Sequence, residues 1–298
     1  MSSVIVKQVC ESLDSLVLVK EGATETQTKR TLLVVATKKK YETISLEKLP
    51  GVDVPLVEAV RAGYTELATA HSANGVAVSL AVLPTKASRT FGPIRSDLLH
   101  SIVSANLVAA NKDSDADIVV LLDSPEQIIA ATLAVARAFP LYYNKLKPQR
   151  ARSIFFHVIS SPNSDGSNVA NTATLQILVD SCRAAARLVD TPPNELNPTT
   201  YVQTVRDIHS SLLRPANVVL DIIQGTELRD REYGGIWNVG KASQNLPALV
   251  VLSYSPPFPT KSEKSVAWVG KGITYDTGGL SIKSKEGMPT MVCEQSKV

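Results

Sequence analysis

A chain of 298 residues, 44% of them apolar and with a formal net charge of +3, has the length for roughly two packed domains. Charged residues make up 20%, with 15 Gly and 17 Pro, which excludes a disordered or fibrous class. The basic residues are dispersed, with Lys38-Lys39-Lys40 their densest run, and no apolar run reaches the roughly 18 residues of a bilayer span, so neither a nucleic acid nor a membrane is an expected partner.

Along the chain, the start Met1-Ser2-Ser3-Val4-Ile5-Val6-Lys7-Gln8 lacks the long apolar stretch of a secretory signal, which gives a cytoplasmic location as the expectation. Apolar runs of strand length stand at Thr31 to Ala36, Gly75 to Leu83, Ile118 to Leu122 and Ser153 to Val158. Between them, Ile94 to Ala110 and Pro125 to Ala138 carry helical patterns, the second with Ser124 as N-cap and Pro125 at its first position. Strands alternating with helices predict an α/β domain over residues 1–165. The run Asp113-Ser114-Asp115-Ala116-Asp117 lacks the Gly and terminal Glu of a calcium loop and is read as a solvated turn before a strand. A polar stretch from Ser160 to Asn168 marks the domain boundary near residue 165.

From Asn171 to Val189 the apolar positions Leu175, Leu178, Val179, Cys182, Ala185, Ala186 and Val189 recur at three and four residues, predicting a long linker helix within residues 166–192. It must stop at Asp190-Thr191-Pro192-Pro193, because proline disfavours helical geometry in the residue before it and donates no hydrogen bond. A second α/β unit over residues 193–298 follows, with a helix at Thr199 to Leu213 and strands at Asn217 to Ile222, Pro247 to Ser253 and Ser265 to Val269. Two of these strands are nearly all apolar, as in a sheet buried on both faces.

At the end of the last strand stands Val269-Gly270-Lys271-Gly272-Ile273-Thr274-Tyr275-Asp276-Thr277-Gly278-Gly279-Leu280-Ser281-Ile282-Lys283. Carboxyl ends of strands are where α/β folds collect ligands. A carboxylate is a hard-cation ligand, and a lysine amine ligates once deprotonated beside a dication. On spacing alone a structural turn and a ligand site both stand, while the Gly-x-x-x-x-Gly-Lys-Ser/Thr phosphate loop is absent. The four histidines, His71, His100, His157 and His209, show no HExxH spacing and are read as core or surface residues. Cys10, Cys182 and Cys293 are far apart, consistent with reduced thiols.

Read in order, the Val269 to Lys283 block resembles the signature of the leucyl (cytosol) aminopeptidase family, Val-Gly-Lys-Gly-x-Thr-Phe-Asp-Ser/Thr-Gly-Gly ending in a catalytic lysine. Leu188 to Pro198 is similar to the family's link between domains. Trp237-Asn238-Val239-Gly240-Lys241-Ala242-Ser243, Pro247 and Leu252 to Tyr254 are similar too, the animal aminopeptidase-like branch being the nearest. The resemblance implies an N-terminal α/β domain joined by a long helix to a C-terminal α/β catalytic domain with a central mixed sheet. It implies removal of N-terminal residues from peptides at two divalent ions, Zn²⁺ or Mn²⁺, in a hexamer. Lys271 resembles a metal ligand, Asp276 the carboxylate bridging the two metals, and Lys283 the lysine that stabilises the oxyanion.

The chain departs from the family in its carboxylates. The Asn-Thr-Asp-Ala-Glu-Gly-Arg motif is absent, and Glu294 falls at a further aspartate's position by count, with a longer side chain and without the Gly-Gly-Ala-Ala that follows in the family. One Asp and a neutral amine do not offset the four charges of two dications. The expectation is a chain cut within its catalytic domain, inactive alone, with the Ala248 to Leu252 and Val266 to Val269 strands incompletely covered. The alternative is a non-catalytic interaction module or regulatory partner of a full-length subunit.

Overall fold

The computed structural model describes residues 2–10, 30–46, 49, 52–63, 67–71, 77–90, 92–110, 115–144, 152–160, 171–213, 217–257, 264–275 and 282–288. They form an α/β chain of two compact units, residues 1–186 and 187–298. The polar loop expected to hold the boundary lies almost wholly outside the described residues, and the division between the units falls inside the long helix.

In the first unit the elements run β1 (Ser2–Cys10), β2 (Arg30–Thr37), α1 (Lys38–Thr43), α2 (Val54–Arg61), β3 (Leu67–His71), β4 (Ala77–Leu83), α3 (Ser96–Val103), β5 (Asp115–Leu121), α4 (Ile128–Arg137), β6 (Arg152–Ile159) and α5 (Thr172–Asp190). The six strands make one mixed sheet in the order β1-β6-β5-β2-β4-β3, parallel except for β3 against β4. Val34 at the centre of β2 lies between Leu80 and Val119. Strands at such positions are covered on both faces, which is why residues 32–36 of β2 and 118–121 of β5 read as continuous apolar runs rather than alternating ones.

The two faces hold separate cores. One gathers Leu33, Val35, Ile118, Val120 and Phe156 of the sheet under Leu99 and Val103 of α3, Ile128 and Val135 of α4, and Leu175 and Val179 of α5. The other packs Leu32, Val34, Leu80, Val119 and Leu121 against Tyr41, Leu56, Val57 and Val60 of α1 and α2. Tyr41 is fully buried, and its hydroxyl lies 2.9 Å from the Val34 carbonyl and 3.0 Å from that of Ala81, so one phenol ties α1 to two strands. Burial without a charged partner pushes its pKa well above the usual range.

Local signals account for the helix starts. Asp53 accepts from Leu56 N at 3.0 Å, and extended Ser124 precedes a short 3₁₀ turn, Pro125–Gln127, that leads into α4, with Gln127 Oε1 accepting from Asp123 N at 2.9 Å. The helix expected through Ala110 is α-helical to Val103 and continues as a wider π-type turn, Ser104–Ala110. In α5 the stripe facing the core is Leu175, Val179, Arg183 and Ala186, whereas Ala185 faces solvent. Arg183 is tolerated there because its Nε donates to the Phe139 carbonyl at 2.9 Å. Gln176 of α5 accepts from Val6 N at 2.8 Å and donates to Val4 O at 3.0 Å, holding edge strand β1.

The second unit contains α6 (Pro198–Ile208), β7 (Val218–Gln224), α7 (Thr226–Asp230), α8 (Gly234–Gly240) and β8 (Ala248–Tyr254). Asn197 caps α6, accepting from Thr199 N and Thr200 N at 3.1 and 3.2 Å, while Thr200 Oγ1 accepts from Asn197 N at 2.9 Å. Strands β7 and β8 pair antiparallel from Val218–Tyr254 to Gln224–Ala248. Between them the chain turns at Gly225, whose φ of +66° is in the left-handed region that glycine reaches without strain. Leu196, Val202, Ile223 and Leu228 are buried here. The strand expected at Ser265 to Val269 has no ladder: residues 264–270 are irregular, with a single bridge at Lys271. Apolar composition favours a strand only where a neighbouring strand takes its backbone groups, and none pairs with this segment among the described residues. Nor, among the described residues, is any helix long and apolar enough to cross a membrane.

Candidate functional site

The glycine-rich block follows residues 264–270. Lys271 is exposed, Thr274 is half-buried and Tyr275 is 40% exposed. A Cβ on Gly272 would meet nothing within 4 Å, so neighbouring atoms do not impose glycine at that position. Asp276, the expected bridging carboxylate, lies outside the described residues, as does Glu294. Ile282 is 77% exposed and Lys283 half-buried. A turn follows in which Gly287 N reaches Ser284 O at 3.0 Å. Among the described residues no three His, Cys, Asp or Glu side chains gather closely enough to hold a metal ion. The described donors therefore do not by themselves fit a pair of dications.

Two other groupings carry polar chemistry, both in the first unit. A cleft of about 430 Å³ lies among α3, α4 and α5, lined by Ser96, Asp97, His100, Leu133, Arg137 and Cys182 among others. Asp97 is held by Arg95 through contacts of 2.9 and 2.7 Å, and the guanidinium keeps its carboxyl below the ordinary range. The Cys182 thiol is pushed up by burial, with Arg137 and Arg183 opposing weakly, which disfavours the thiolate a nucleophile needs.

The second grouping is His157, fully buried, whose Nε2 lies 3.2 Å from Oδ1 of nearly buried Asp117, while its Nδ1 has no partner among the described residues. Two of the aspartates read as a solvated turn, Asp115 and Asp117, are in fact strand residues, and Asp113 lies outside the described residues. Asp115 and Asp117 alternate with apolar neighbours in β5, and Asp115 Oδ1 accepts from Ser153 N at 2.8 Å. The period-two spacing of Asp115 and Asp117 is the signal that finds this.

Residues 183–296 match the catalytic domain of the cytosol aminopeptidase family, and residues 30–148 match M17 aminopeptidase N-terminal domain 2. Human probable aminopeptidase NPEPL1 is 37% identical over 221 residues, covering 72% of this chain and 39% of that protein. Leucine aminopeptidase of Caenorhabditis elegans superposes with a TM-score of 0.74 at 25% identity, covering 99% of this chain and 56% of that one. Leucyl aminopeptidase of Leishmania major, solved with actinonin, gives 0.81 at 26%, covering 98% and 54%. The chain thus spans about half the length of these solved relatives and less of the curated ones. Both matched domains and the whole superposed fold point the same way, and the chain belongs to the M17, or cytosol aminopeptidase, family.

Proposed function

We propose that this chain carries part of the active site of a metal-dependent aminopeptidase that removes N-terminal residues from peptides. The observation that carries this reading is the Val269 to Lys283 block, which lies inside the segment matched by the M17 catalytic domain. In this reading Lys271 and Asp276 would hold divalent cations, Zn²⁺ or Mn²⁺, whose chemistry is to activate water and polarise the scissile carbonyl. Lys283 places a positive charge where the carbonyl oxygen becomes an oxyanion and takes no covalent role. A single carboxylate cannot neutralise two dications, and the family's acidic Asn-Thr-Asp-Ala-Glu-Gly-Arg motif has no counterpart in the 298 residues. The chain alone is therefore proposed to be inactive. Assay of the purified chain on aminoacyl amides with added Mn²⁺ or Zn²⁺ tests this. No turnover is expected, and turnover abolished by Lys283→Ala would overturn the inactivity while upholding the site.

A second reading, a non-catalytic partner within M17 assemblies such as the family's hexamer, is favoured by the bareness of the second unit's apolar segments, Trp268 at 96% above all. Co-purification with an M17 polypeptide is its test.

A further inference from the structure

Strand β1 closes one side of the six-stranded sheet, and among the described residues its only ladder partner is β6. It is nine residues long, against five for β3 at the opposite side, so it is the larger template for strand addition. Gln176 of α5 stands at this strand. Its Oε1 accepts from Val6 N at 2.8 Å and its Nε2 donates to Val4 O at 3.0 Å. A residue of a parallel strand set beside Ile5 would bond the same two groups, its carbonyl taking the N–H of Val6 and its N–H the carbonyl of Val4. The side-chain amide therefore takes the place of one ladder residue. Nε2 also donates to Asp180 Oδ1 at 3.0 Å, one turn further along α5, and Leu175 and Val179 anchor the helix in the core that holds Val4 and Val6. A second feature of β1 acts in the same direction. Its register with β6 slips between Val6 and Gln8, which leaves Lys7 as an exposed bulge residue with its Nζ 4.9 Å from the centre of the Phe155 ring. Bulges and lysines on an edge strand both hinder the approach of a further strand.

We propose that Gln176 is an edge guard, closing the outer side of β1 against pairing with the β1 of a second copy of this chain. Two β1 strands related by a twofold axis run antiparallel and exchange the same backbone groups, so the edge is complementary to itself. Ser2 to Val6 contains no charged side chain, so no repulsion between like charges separates two copies over this stretch. Occupied hydrogen bonds are then the barrier there. With Val6 N and Val4 O already bonded, an incoming strand must displace the amide before it gains a ladder. The inference concerns the first unit and is independent of the peptidase reading.

The test compares self-association of the parent chain, Gln176→Ala and Gln176→Asn by sedimentation equilibrium over a concentration series, with hydrogen exchange at the Val6 amide read on the same samples. Alanine removes the amide, while asparagine keeps it but draws it back by one methylene. Freeing two ladder groups should tighten association at least about tenfold in Gln176→Ala, with a smaller change in Gln176→Asn. At low concentration the Val6 amide of the alanine variant should exchange faster than in the parent, and it should slow as concentration rises. If the alanine variant loses the parent's far-UV circular dichroism, Gln176→Asn alone carries the comparison. Association no tighter than the parent's in the folded variants would overturn the guard. Tighter association with Val6 exchange indifferent to concentration would place the contact elsewhere and overturn it as well.

Discussion

The buried Asp117–His157 pair has one partnered imidazole nitrogen and one without a partner among the described residues. Replacing Asp117 by Ala removes the acceptor and leaves both nitrogens unpaired at full burial, a loss of about 1–3 kcal/mol. Denaturant midpoints should fall accordingly, and an unchanged midpoint would mean that the pair is dispensable. On the exposed side the Arg95–Asp97 contact gives a pH signature. With its carboxyl held below the ordinary range, Asp97 favours the folded state above the unfolded pKa, and that contribution is lost as pH falls through the folded value. Carbon-detected NMR titration should place Asp97 low in the parent and within the usual carboxylate range in Arg95→Gln. At this scale the sequence was legible where chemistry and spacing coincide, as at Ser124 with Pro125, and at Asn197 only in retrospect. It was illegible at Asp115 and Asp117, where a cluster of acids outweighed the alternation that marks a strand.

Among elements, those set by local pattern emerged from sequence and those set by distant partners did not. Helix α5 was readable from its apolar spacing and from the prolines that end it, yet its stripe includes Arg183, whose burial depends on a carbonyl 44 residues away. Strands β1 and β3 escaped because both are edge strands, and β3, Leu67–His71, has little apolar bulk. The opposite error fell on Ser265 to Val269, where strand composition meets no ladder partner among the described residues. For the site, the family block could be read directly, but which side chains converge on it depends on tertiary contacts that spacing does not encode. The Gln176 clamp allows a test of how α5 holds β1. Gln176→Leu keeps the size while stripping partners from Val6 N and Val4 O, an expected loss of about 1–3 kcal/mol. Amide exchange should quicken along β1 more than along β2, which is paired on both edges; uniform quickening would count against a local clamp.

At the scale of the whole chain the two units differ in how much they bury, and this should separate their unfolding. The first encloses apolar side chains on both faces of a six-stranded sheet, while among the described residues of the second few apolar side chains are buried and Val239, Val266, Trp268 and Val269 stand mostly in water. Stability follows burial, so the second unit should open at lower denaturant. Both tryptophans, Trp237 and Trp268, are in the second unit, so tryptophan emission reports that unit, whereas far-UV circular dichroism sums over both. Because Trp268 is already exposed, the emission change will come chiefly from Trp237 on α8. That helix leans on Pro247 at Gly240, where a Cβ would stand 2.5 Å from the proline's own. Gly240→Ala must displace that contact, so it should move the fluorescence transition to lower denaturant while leaving the main dichroism transition in place. Coincident curves in the parent, or equal movement of both in the variant, would mean that the chain unfolds as one cooperative body and that the division at residue 186 is geometric only.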